Sequence, residues 1–216
     1  MSRRRAAAVA GHSGDEETAR TLLTDPSPGV RATALGALAR MGAATDDDVS
    51  AALADPVGRV RRRACEVAVG HVAVDLRPLL ADADRMVVEA SAWALGERGS
   101  HALAAADLGE DPAAEPQRDA GGPSPDAVDA VEELVKVAGG HDDPLCREAA
   151  VAALGAIGDV RGLPAILAAT SDKPAVRRRA VIALAPFDGP EVDAAMARAL
   201  QDRDWQVRQA AEDLGD

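Results

Sequence analysis

Four histidines, two cysteines and a recurring set of aspartates and arginines are the residues of this chain that could carry chemistry. His12, His71, His101 and His141 are followed by Ser, Val, Ala and Asp, so none is paired in sequence with the glutamate that a helix-borne metal cage would need. All four are expected in turns, where an exposed histidine is the ordinary outcome. Neither a glycine-rich phosphate loop nor a Ser-His-Asp spacing occurs. Cys65 and Cys146 fall at apolar helix positions of non-neighbouring segments, which reads as two buried free thiols and not a disulfide. No metal and no cofactor is expected.

The aspartates and arginines belong to one phrase that returns six times: an Asp, usually a Pro, then Val-Arg, then an alanine-rich stretch. Its copies begin at Asp25, Asp55, Asp82, Asp142, Asp172 and Asp202. A spacing of about 30 residues means one supersecondary unit stacked on copies of itself. Each unit reads as two antiparallel helices, which gives an all-α fold, an α-solenoid of stacked helix pairs. Asp55-Pro56, Asp143-Pro144 and Ser27-Pro28 place an N-cap side chain before a proline and so mark second-helix starts. The shorter first helices are predicted at 16–23, 47–53, 76–81, 128–138, 163–169 and 192–200.

Helical phase sorts the second helix into faces. Counted from its key Val (Cys146 in the fourth copy) as zero, position four is Ala34, Ala64, Ser91, Ala150, Ala180 and Ala211, small in every copy. Positions zero, four, five and eight span an arc from 0° to about 140° at ~100° per residue, a single apolar face. Position one lies at about 100°, inside that arc. It is Arg31, Arg61, Arg147, Arg177 and Arg208, with Val88 the exception. A buried guanidinium needs a partner, and Asp25, Asp55, Asp82, Asp142, Asp172 and Asp202 recur at a matching period. A structural Asp–Arg ladder along the stack is therefore expected.

The Asp-Pro-x-x-x-Val-Arg phrase, the alanine at the packing position and the following Ala-Leu-Gly resemble HEAT repeats, specifically the prokaryotic phycobilisome-lyase HEAT-like repeat. Asp143 to Gly158, DPLCREAAVAALGAIG, is the nearest copy. The resemblance covers most of the chain and implies the solenoid fold; it leaves function open, because HEAT repeats serve many roles. Three HEAT-type activities would each demand particular residues. A hydroxylase would need His-Glu pairs that are absent. A DNA glycosylase would need aromatic side chains beside a catalytic Asp and a basic concave surface. A phycobilin lyase would need a sizeable apolar cavity, and only Trp93 hints at one.

Composition narrows the partners. The formal charge of -12 arises from 36 carboxylates against 24 cations, nearly all of them arginine. Such a field disfavours nucleic acid and anionic membranes. The Asp-rich, nearly Lys-free balance is similar to that of proteins from salt-accumulating haloarchaea, a GC-rich actinobacterial source being the other reading. Aromatics are only 1%, so the core must be Ala, Val and Leu. No apolar run approaches the ~20 residues of a membrane span, and the apolar stretch after Arg3-Arg4-Arg5 is short for a signal peptide. A cytoplasmic monomer is expected.

The stack is expected to be one unit over 1–216: a truncated capping repeat at 1–14, three repeats at 15–99 and three at 126–216. Between them 108–125 is rich in Pro and Gly, which reads as a flexible inserted loop or as a decayed repeat begun at Asp111-Pro112.

Opposite the buried arc, centred near 245°, lie positions two, three and six. Arg62, Arg63, Glu66, Glu89, Trp93, Glu148, Arg178, Arg179, Ile182 and Gln209 occupy them. They vary from copy to copy where the packing positions repeat, as a face free for recognition would. The resemblance implies that this face is concave. Arg62/Arg63 and Arg178/Arg179 are expected as two separate cationic spots, either recognising a partner or solvated and paired locally, as Arg62 with Glu66. Trp93 is either an interface anchor or folded over its neighbours. The resulting expectation is a non-catalytic scaffold for a protein or peptide, the alternative being a HEAT-type enzyme or cofactor handler.

Overall fold

Ala, Val and Leu at helical spacing can bury a face only by stacking helix on helix, and the computed structural model is a succession of such stacks. It describes residues 2–107 and 129–215. The segment 108–125, inserted loop or decayed repeat, lies outside the described residues. Two compact units partition the chain, Met1–Ala94 and Leu95–Asp216.

In the first unit α1 (Arg3–Ser13), α3 (Pro28–Met41) and α5 (Gly58–Ala68) pack one on the next, with α2 (Glu16–Thr21) against α1 and α3, and α4 (Asp46–Leu53) against α5. The opening of α6 (Arg85–Asp107) completes it. In the second unit α8 (Pro144–Ile157) packs on α10 (Pro174–Ala183) and α10 on α12 (Trp205–Gly215). The alternating helices α7 (Val131–Gly140), α9 (Leu163–Ala169) and α11 (Pro190–Ala199) lie beside them. All described elements are helical.

Position zero is buried in every copy: Val30, Val60, Val87, Cys146, Val176 and Val207. Position four is buried likewise, and the one hydroxyl there, Ser91, donates to the Leu76 carbonyl at 2.9 Å. Cys65 and Cys146 are buried free thiols, and burial pushes the Cys65 thiol up to about 12, out of nucleophilic range.

Several local expectations change. The third copy has no α-helix before its phrase, only a 3-10 turn at Arg77–Ala81 with Pro78 in its first turn. Asp55 is not an N-cap; α5 starts two residues later with Val57 at the cap, and the Asp55 carboxylate is used elsewhere. His12 sits in the last turn of α1, and His101 lies within α6, so only His71 and His141 flank helices.

The third second-helix does not stop at 99 but runs through Asp107, and the partition of the chain falls inside it. Its Gly96 is a packing residue: a Cβ there would lie 2.9 Å from Ala153 Cα. Gly155 meets Ala183, and Gly11 meets Ala37, in the same way. Position nine of one copy thus faces position seven of the next, and wherever glycine meets alanine there the backbones touch. Glycines that end helices, such as Gly42 and Gly158 in left-handed conformation, are a different set.

Candidate partner-binding face

What fixes this face is the ladder behind it. Arg31 grips Asp55 with Nε to Oδ2 at 2.7 Å and Nη2 to Oδ1 at 2.8 Å. Arg61 holds Asp82, Arg147 holds Asp172 and Arg177 holds Asp202 by the same two-pronged contact. In each case the carboxylate belongs to the following copy. The third guanidinium nitrogen donates to a carbonyl of the arginine's own turn: Asp25, Asp55, His141 or Asp172. Each carboxylate in turn accepts from a backbone amide of its own turn, Val57, Asp84, Lys173 or Asp204. One arginine therefore fastens two successive turns to each other.

The hydrogen bonds from Arg31, Arg61, Arg147 and Arg177 hold Asp55, Asp82, Asp172 and Asp202 below the ordinary carboxylate range, against the opposing effect of burial. Arg177 is itself 94% buried. In these four pairs every guanidinium nitrogen and both carboxylate oxygens are engaged in fastening turns.

Three expected members stand differently. Asp25 is bound by Arg3 at 3.2 Å, so Arg3 is the ladder arginine of the truncated first copy. Asp142 is exposed and, among the described residues, its carboxylate has no arginine; the copy before it carries Val88 where the others carry Arg. Arg208 donates to the Asp202 carbonyl at 2.7 Å but meets no carboxylate among the described residues.

With stacking and ladder on one side, the opposite side of the second helices faces solvent. In the first unit Arg62 and Arg63 share Glu66 at 3.4 and 2.6 Å. Glu89 is half-buried and Trp93 is 44% exposed. A trough runs along α3 beside Arg62 and Arg63. Its floor is Ala32, Thr33 and Gly36, and its walls are arginines: Arg4 and Arg5 from α1, Arg59, Arg62 and Arg63 from α5. Arg40 closes one end, and the two parts of the trough measure about 260 and 530 Å³. The Arg62/Arg63 spot is thus part of a larger cationic lining and not a pair by itself.

Arg40 and Arg59 are not legible as site residues from positions two, three and six, whereas Arg4 and Arg5 are once the count is extended to the truncated copy. Phase does carry a signal: Arg59 at position minus one and Arg40 at position ten fall at about 260° and 280°, flanking the predicted centre. Arg4 and Arg5 are positions two and three of the truncated copy.

In the second unit Glu148 and Arg179 approach to 3.5 Å. Arg178, Ile182 and Gln209 line a depression of about 340 Å³ with Trp205 and Leu214, and Gln209 donates to Asp213 at 2.8 Å. Trp205 is 64% exposed, a more open aromatic than Trp93; it opens α12 at position minus two, ahead of the positions counted from Val207. A second depression, about 500 Å³, is lined by Arg179, Ile182, Ala152, Gly155 and Pro186. Among the described residues no three His, Cys, Asp or Glu side chains gather as a metal site would require.

Helix pairs stacked through such turns define an all-α repeat solenoid. Residues 147–172 match the family model described as PBS lyase HEAT-like repeat, so the second unit carries a segment similar to that repeat. No curated protein sequence matches the chain. Among solved structures it is similar to an engineered protein at 19% identity, over 93% of this chain and 96% of that one, with a TM-score of 0.64. YibA of Escherichia coli is 16% identical over 93% and 72% with a TM-score of 0.58. A designed armadillo repeat protein in complex with the peptide (KR)4 is 17% identical over 98% and 89%, TM-score 0.51. At these identities the likeness is one of fold.

Proposed function

We propose that this protein is a non-catalytic scaffold that binds a protein or peptide through the exposed, concave face of its second helices. The observation that carries the reading is the division of labour within each copy. Buried positions and the ladder repeat from copy to copy, whereas the exposed positions differ and carry arginines in one unit and Ile182, Trp205 and Leu214 in the other. Exposed aromatics and arginines are the residue types that dominate binding energy at interfaces. The designed armadillo protein of like fold is in complex with a peptide, which supports the kind of occupant. The scaffold is proposed to act as a monomer in the cytoplasm; among the described residues no helix is long and apolar enough to cross a membrane.

Selection of peptides from a displayed random library, with the purified protein as bait, tests the reading. Selected peptides should bind about tenfold or more weakly to a variant carrying Arg62→Ala, Trp93→Ala and Arg178→Ala, at unchanged helicity. Undiminished affinity for that variant, or no selection above background, would contradict it.

A further inference from the structure

We infer that the trough along α3 binds an extended acidic peptide segment. The inference deepens the proposed function and rests on the second-helix face being the binding face. Six arginines, Arg4, Arg5, Arg40, Arg59, Arg62 and Arg63, line the trough against a single carboxylate, Glu66, which is already shared by Arg62 and Arg63. Among the described residues Arg4, Arg5, Arg40 and Arg59 meet no carboxylate at all. The ladder arginines and Arg20, with Glu16 and Asp48, are paired closely, and no other stretch of the described second helices gathers four arginines that meet no carboxylate. The concentration is also out of keeping with a net charge of -12. Residues 1–94 carry 12 arginines and 13 carboxylates, so almost all of that negative charge lies beyond them.

Shape selects the ligand further. The floor is Ala32, Thr33 and Gly36, all small, with the Arg63 side chain lying over Gly36, and the guanidinium forks on either side match carboxylates two bonds at a time. Gly29 to Arg40 is 11 steps of helix, about 16 Å, which an extended chain covers in about five residues. Glutamates on both sides of such a strand would reach both walls, since alternate side chains point to opposite faces. Nucleic acid fits less well. The lining holds no Phe, Trp or Tyr, so bases would find no aromatic platform to stack on.

The test is fluorescence anisotropy with a labelled hexaglutamate peptide at low salt, using the full chain and two variants. Arg4→Gln with Arg59→Gln removes two wall charges that have no carboxylate partner, so the fold is undisturbed; Arg198→Gln with Arg203→Gln, two exposed arginines away from the second-helix face, is the control in the other unit. Binding that falls about tenfold or more in the first variant, persists in the control and fades in near-molar salt is the expected result. Absent binding, or binding equal in both variants, overturns the inference, and a mixed-sequence single-stranded oligonucleotide that binds more tightly than hexaglutamate overturns it in favour of nucleic acid. Peptides selected on the whole second-helix face can bind even where hexaglutamate does not, so failure of this inference is separable from failure of the proposed function.

Discussion

Arg61 reaches across the junction between two helix pairs to Asp82, with Nε to Oδ2 and Nη2 to Oδ1 both at 2.7 Å, while its remaining nitrogen donates to the Asp55 carbonyl at 2.8 Å. Both side chains are largely withdrawn from solvent. Removing the arginine leaves a buried carboxylate without its charge partner and two turns no longer fastened. Arg61→Ala should lower stability by about 2–4 kcal/mol. Arg61→Lys should recover only part of it, because an ammonium cannot make the forked contact. Denaturant unfolding of the two variants measures this, and a loss under about 0.5 kcal/mol, the scale of a surface pair, would count against the ladder.

The four ladder aspartates are held below their ordinary values by their arginines. A group with a depressed folded value stabilises the fold above its unfolded pKa, about 3.9 for aspartate, and that contribution disappears as pH falls through the folded value. The melting temperature should therefore fall steeply below about pH 4, with little contribution from these groups to its variation between about pH 6 and 8. Asp82→Asn should be less stable at neutral pH and show a shallower acid limb. Parallel acid limbs in the wild type and Asp82→Asn would contradict the assignment.

Two glycines should respond with opposite signs. A Cβ on Gly155 would sit 2.6 Å from Ala183 Cα, whereas nothing lies within 4 Å of one on Gly139. Gly155→Ala should destabilise by about 1–3 kcal/mol through overpacking, in spite of alanine's better helix propensity. Gly139→Ala should be neutral or stabilising by up to about 1 kcal/mol. Thermal unfolding of the pair decides, and equal shifts would refute the close approach of α8 to α10.

These cases mark what is legible from residue order. The period and the phase of position one place Arg31, Arg61, Arg147 and Arg177 inside the packed arc, since a charge on an apolar face demands a partner. Period alone is silent on which aspartate each takes, because its own and the next recur equally; only coordinates show that it is the next. Likewise a glycine after Ala-Leu can end a helix or let two helices touch, and Gly96 does the second inside an α6 that continues to Asp107. The arginine trough needed tertiary structure, since it assembles walls from α1 and α5 across a floor from α3. Helical phase orients residues within one helix but not between helices.

Excess negative charge should make stability salt-dependent. Screening shortens the reach of repulsion to ~3 Å in molar salt, while the half-buried ladder pairs are screened less. Molar KCl should raise the melting temperature. A melting temperature that is flat or falling with KCl would show that self-repulsion is not a governing term.

The central claim is that the repeating residues build the scaffold and the exposed, non-repeating ones bind. One comparison tests it most directly: peptide affinity and melting temperature, measured together, for the variant with Arg62→Ala, Trp93→Ala and Arg178→Ala and for the ladder variant Arg147→Gln. The account predicts a crossed result, in which the first loses about tenfold or more in affinity with its melting temperature held, and the second loses several degrees with its affinity held below the transition. Affinity lost in the ladder variant while the exposed-face variant binds as well as wild type would contradict it.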